Sequence, residues 1–147
     1  MDRLIWSVQP ENDTLENLVT FLADYAPGVL QPNAIACELD LPPLLPALPL
    51  RGDTRQHLFF AVNEALHNVV KHSQARQAWL RVTWTDPWLE IVVEDDGCGF
   101  TSPSPRPRGG NGLKNLRERS AAMRGSVALA DRDGGGTRLI LRWQLPF

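Results

Sequence analysis

The densest concentration of reactive side chains lies in Asn63-Glu64-Ala65-Leu66-His67-Asn68-Val69-Val70-Lys71-His72. Glu64 and Asn68 stand four residues apart, so on a helix their side chains share one face, with Lys71 and His72 a turn further on. A carboxylate, an amide oxygen, an ammonium and an imidazole along one stripe suit a hydrated Mg²⁺ and the phosphates it accompanies. Mg²⁺ takes few protein oxygens and completes its shell with water and phosphate oxygens. The same spacing also describes a solvated helix face supported by Glu and Lys.

Three further segments could contact a ligand. Asp95-Asp96-Gly97-Cys98-Gly99 directly follows the apolar run LEIVVE. A carboxylate at a strand end can accept from an exocyclic amine, and the glycines let the backbone approach a flat group closely. A plain Asp-Gly turn would read the same way. Gly109-Gly110-Asn111-Gly112-Leu113 opens the segment KNLRERSAAM, and a glycine-rich loop entering a helix presents free N–H groups to phosphate. Residues 106–124 carry Arg106, Arg108, Lys114, Arg117, Arg119 and Arg124 against the single acid Glu118, an excess that favours a polyanion. Gly134-Gly135-Gly136-Thr137 reads first as a hairpin turn into the last strand.

The elements that must position these residues are legible from periodicity. Asp13 can cap a helix with Glu16 at the reciprocal position; Leu15, Leu18, Val19, Leu22 and Ala26 follow at helical spacing, and Pro27-Gly28 is expected to stop it. Ile35, Cys37, Leu39 and Leu41 alternate as a half-buried strand, and the proline-rich PPLLPALPL (42–50) must be an extended connector. From Asp53 to about His72 runs the longest helical pattern, with Leu58, Ala61, Val62, Ala65, Leu66 and Val69 on its apolar face. Strands over 78–84 and 88–95 flank the turn Thr85-Asp86-Pro87; a loop over 97–112, a helix over 113–123 and strands near 126–131 and 137–145 complete the chain. The order predicts an α+β fold: a two-layer sandwich with a mixed, mostly antiparallel sheet and its helices on one face.

If Leu89, Ile91 and Val93 face the helices, period two puts Asp95 on that inner side. The same alternation turns Trp79, Arg81, Thr83, Glu90, Val92, Glu94, Arg138 and Arg142 outward, toward a solvated face with cross-strand ion pairs or a partner surface centred on Trp79.

Composition narrows the classes. The chain has 147 residues, 43% hydrophobic and 22% charged, which fits one ordinary globular domain rather than a disordered segment. A formal net charge of −2 argues against a nucleic-acid binder. No apolar run approaches a membrane span, so no membrane contact is expected. Cys37 and Cys98 make no metal spacing and fit a reduced, cytoplasmic setting.

Taken in order, Glu64…Asn68, Asp95-x-Gly97-x-Gly99, Gly110-x-Gly112-Leu113 and Gly136-Thr137 resemble the N, G1 and G2 boxes and terminal Gly-Thr of one ATP-binding fold. It is the Bergerat fold shared by histidine kinases, DNA gyrase B, Hsp90 and MutL. The strings NEALHNVVKHSQA and GGNGLKNLRERSAAMRGSV resemble the catalytic domain of sensor histidine kinases that partner NarL-type response regulators. RLIWSVQPENDTLENL looks like the exit from that family's dimerisation helix, which makes residues 1–11 a linker remnant and 12–147 the catalytic domain.

The resemblance implies roles residue by residue. Asn68 would hold Mg²⁺ directly and Glu64 through water; Lys71 would reach phosphate and His72 would line the phosphate or ribose. Asp95 would accept from the adenine amino group of ATP, with Thr137 supporting it through water. Gly97 and Gly99 would let the backbone curve past the base, and Gly110 and Gly112, with Leu113, would close a lid over the phosphates. The histidines, His57, His67 and His72, do not have the setting of a phosphoacceptor, which in such kinases precedes an acid on a separate helical hairpin. The chain is therefore expected to be the nucleotide-binding half of a kinase, with a dimerisation/phosphotransfer domain and a NarL-type response regulator as partners. A free-standing anti-sigma-factor-type serine kinase of the same fold is the alternative, and a nucleotide-sensing module without transfer is a third.

Overall fold

The computed structural model describes residues 14–46, 48–97, 118, 125–132 and 134–145, with His72 and Ser73 described by their backbone alone. Helix α1 spans Leu15–Leu30, strand β1 Ala36–Asp40, helix α2 Gly52–Asn68, strand β2 Gln77–Thr85, β3 Trp88–Asp95, β4 Gly125–Asp131 and β5 Thr137–Gln144. The strands form one sheet in the order β1-β2-β3-β5-β4. β1 pairs parallel with β2, and the other pairs are antiparallel. A parallel pair needs a long crossover, and α2 supplies it. The α+β two-layer reading stands.

Alternation along the strands builds the core. Ala78, Leu80 and Val82 of β2, Leu89, Ile91 and Val93 of β3, and Leu139, Leu141 and Trp143 of β5 are all buried on one face. Against them pack Leu18, Leu22 and Ala26 of α1 and Leu58, Val62, Ala65 and Leu66 of α2. The helices meet through Phe21, Tyr25 and Phe59, whose rings lie 5.0–5.8 Å apart, and Tyr25 donates to the Asn63 side chain.

Both ends of α1 differ from expectation. The cap is Thr14, one residue after Asp13, its Oγ1 accepting from Asn17 N–H at 3.2 Å. Asp13 itself lies outside the described residues. Pro27 does not stop the helix, which continues to Leu30. A proline deletes a single N–H donor, and burial of Leu30 at 1% exposure favours another turn. A 3₁₀ turn, Gln31–Asn33, follows the helix, and the chain leaves that turn at Ala34, whose φ of 62° is left-handed. The described residues of the 42–50 connector form no helix and are tied to the start of α1: Leu15 N–H donates to Leu48 O at 2.8 Å, and Thr14 bridges Pro49. Leu39, expected half-buried, is 37% exposed because β1 is an edge strand.

Candidate functional site

The end of β3 is the best-defined part of the site. Asp95 is 4% exposed and lies on the inner face, where period two placed it. Its Oδ1 accepts from Gly97 N–H at 2.9 Å, a short Asx turn that holds the carboxylate at the strand end. In register opposite Asp95 stands Thr137 of β5. The Thr137 hydroxyl oxygen is buried and has no hydrogen-bond partner. An unmade bond at a buried hydroxyl costs stability, so this oxygen can take a hydrogen bond from a ligand or from water.

Gly136 explains how the hairpin comes so near. A Cβ there would overlap the Asp95 carbonyl and crowd the Asp96 Cα, and its φ is +112°. Glycine alone meets both demands. The residue just after β3, Asp96, clamps the start of β2: its Oδ1 accepts from Arg76 N–H at 2.9 Å and Gln77 N–H at 3.0 Å. Desolvation pushes its pKa upward. The amides of Gln77, Arg76 and Asp96, together with the Arg132 charge, outweigh that and hold the carboxyl below its ordinary value.

The polar stripe on α2 stands as expected in part. Glu64 and Asn68 are half-buried on one helical face, and Lys71 is exposed. Lys71 and His72 do not continue the α-helix, however: Val69–Ser73 is a π turn, ended by Gln74 at φ 57°. The widened turn shifts them around the axis relative to regular helical spacing. His67 Nδ1 lies 2.9 Å from Asn63 O, which fits a ring protonated at Nδ1, because a carbonyl only accepts. His57 is half-buried, and its Nδ1 has no hydrogen-bond partner.

Gly99, Gly110, Gly112 and Leu113 lie outside the described residues, as do the loop expected over 97–112, apart from Gly97, and the helix expected over 113–123, apart from Glu118. No cluster of three or more metal-ligating His, Cys, Asp or Glu occurs among the described residues. A carboxylate and an amide oxygen remain, a donor set that fits a Mg²⁺ sharing its shell with phosphates. The orphaned Thr137 hydroxyl beside Asp95 likewise fits a purine edge. No helix among the described residues is long and apolar enough to cross a membrane.

The layers, sheet order and helix placement are those of a histidine-kinase-type ATPase domain. The family described as histidine kinase-, DNA gyrase B- and HSP90-like ATPases matches residues 53–147, and the chain belongs to it. The nitrate/nitrite sensor protein NarX of Escherichia coli is 33% identical over 85 residues, covering 58% of this chain and 14% of NarX. NarQ of the same organism is 32% identical over 106 residues, 71% of this chain and 19% of NarQ. The chain thus spans under a fifth of the length of these curated relatives. The blue-light activated histidine kinase EL346 of Erythrobacter litoralis superposes with a TM-score of 0.69 at 22% identity, over 87% of this chain and 42% of that one, a likeness of fold. The resemblance to NarL-partnering sensor kinases drawn from the motifs agrees with these relatives.

Proposed function

We propose that this domain binds Mg·ATP and donates the γ-phosphoryl group to a histidine on a separate dimerisation/phosphotransfer domain. From there the group would pass to a NarL-type response regulator in the cytoplasm. The observation that carries the reading is buried Asp95 facing the orphaned Thr137 hydroxyl across the β3–β5 register, with Gly136 pressed against the Asp95 backbone.

Asp95 accepts a hydrogen bond from the adenine amino group, and Thr137 supplies the missing partner for a water at the base edge. Asn68 and Glu64 are the residues to hold Mg²⁺, which would neutralise phosphate charge when bound. Lys71 and His72 serve the phosphate side, and Gly97, with Gly99, Gly110, Gly112 and Leu113, the base and lid. In the transfer a nitrogen of the acceptor imidazole bonds the γ-phosphorus as the β–γ bridging bond breaks, leaving ADP. This chain contributes position and charge rather than a covalent intermediate.

The test is incubation with γ-labelled ATP, with and without an added dimerisation domain carrying an acceptor histidine. Label on that domain, acid-labile as expected of phosphohistidine, is the expected result. Its absence overturns the transfer. Acid-stable label on a serine of a small partner would establish the anti-sigma-factor-type reading instead; the sensor kinases among its relatives favour the first.

A further inference from the structure

Glu94 precedes Asp95 and points to the opposite face of the sheet, where alternation predicts solvent. It is instead 2% exposed. Its Oε2 accepts from Arg138 Nε at 2.8 Å and lies 3.4 Å from Arg81 Nη1; its Oε1 lies 3.4 Å from Arg132 Nε. Arg81 comes from β2 and Arg138 from β5, where it stands opposite Glu94 and directly follows Thr137. Arg132 lies in the β4–β5 turn, donates from Nη1 to Gly135 O at 3.1 Å and stacks 4.1 Å from the centre of the Trp79 ring. Trp79 in turn donates to Glu38 of β1 at 3.2 Å. One buried carboxylate therefore joins β2, β5 and the β4–β5 turn on the face of the sheet opposite Asp95.

We propose that Glu94 is a positioning residue for adenine recognition, acting with Arg132 and Arg138 through Asp95, Gly136 and Thr137. The inference rests on the assignment of Asp95 to the adenine amino group. Successive strand residues point to opposite faces, so fixing the Glu94 side chain fixes the roll of the strand end and hence the aim of Asp95. Arg132 sets the turn that carries Gly136 onto the Asp95 backbone. Hydrogen-bond strength falls steeply with misalignment, so a loosened carboxylate discriminates less between the donor on adenine and the carbonyl acceptor at the same position of guanine.

Calorimetric titration of the full chain with ADP and GDP reads this out as a preference ratio, which a purely structural role would leave in place while lowering the melting temperature. Glu94→Gln keeps an oxygen for Arg138 and loses the charge. It is expected to narrow the ADP preference about tenfold, the scale of one compromised hydrogen bond to a charged group. Where Glu94→Gln fails to fold, Arg132→Lys decides. A lysine keeps the charge but cannot serve Glu94, the Gly135 carbonyl and the Trp79 ring together, and a narrowing of about threefold is expected. A folded variant with the wild-type ratio overturns the inference. An ADP preference absent from the wild type, or surviving in Asp95→Asn, overturns the adenine assignment itself and this inference with it. A preference lost in Asp95→Asn but unchanged in the Glu94 or Arg132 variant overturns the positioning role alone.

Discussion

Glu94 and Asp95 are adjacent carboxylates, both nearly sealed from water, and the sheet separates them. On the outer face three arginines surround Glu94. On the inner face Asp95 is held by the Gly97 amide, beside a threonine hydroxyl with no partner. A buried charge enclosed by guanidiniums is committed to structure, because removing either side strands the other. A carboxylate held by a backbone amide at a strand end, beside an unsatisfied hydroxyl, is the arrangement on which the adenine assignment rests. Burial alone therefore does not separate an acid that braces a strand end from one that could meet a ligand; the partners do.

The contrast can be broken most severely at Gly136, which touches the inner residue's backbone from the turn that the outer network braces. Gly136→Ala should cost about 2–4 kcal/mol of stability, from the collision with Asp95 and the left-handed φ, read as a lowered urea midpoint. Asp95→Asn should separate the faces: ATP affinity falls by about 1.5–3 kcal/mol in calorimetry while the urea midpoint changes little. Wild-type affinity in that variant would remove the adenine assignment. Thr137→Val sharpens the comparison further. Deleting an unsatisfied buried hydroxyl should raise stability by up to about 1 kcal/mol and weaken ATP binding, whereas a loss of stability would mean the hydroxyl is already satisfied.

The smallest expected effect concerns Asp96, between the Arg132 charge and the amides of Arg76 and Gln77. Its folded-state pKa is depressed, so its contribution is present above the unfolded carboxylate value of about 3.9 and is lost as pH falls through the lower folded value. Urea melts between about pH 5 and pH 2 should show a shallower acid loss in Asp96→Asn than in the wild type. Solvent exposure keeps this difference small. Identical slopes would mean that the Asp96 contacts form equally in the unfolded chain.

Much of the architecture was readable because it is periodic. Apolar residues at every second position gave β2, β3 and β5 and the inner side of Asp95, and helical spacing gave α2 with Glu64 and Asn68 on one face. The misreadings share a cause in competition between distant groups. Pro27 remained inside α1 because burial of Leu30 outweighed a missing donor. The π turn at Val69–Ser73 altered the placement of Lys71 and His72 without any change in the apolar pattern before it. Alternation rightly predicts cross-strand ion pairs on the outer face, which Glu94 makes with Arg81 and Arg138, but not its burial, because a charged residue at an outward position is ordinarily solvated.

The sequence by itself determined which residues share a face and the order of the polar motifs, since both follow from local geometry repeated along the chain. Only the tertiary structure decided that Arg81, Arg132 and Arg138 converge on Glu94, and that Gly136 and Thr137 meet Asp95. Strands β3 and β5 become neighbours across more than forty residues, and pairing over that distance is fixed by the packing of the whole sheet rather than by any local preference.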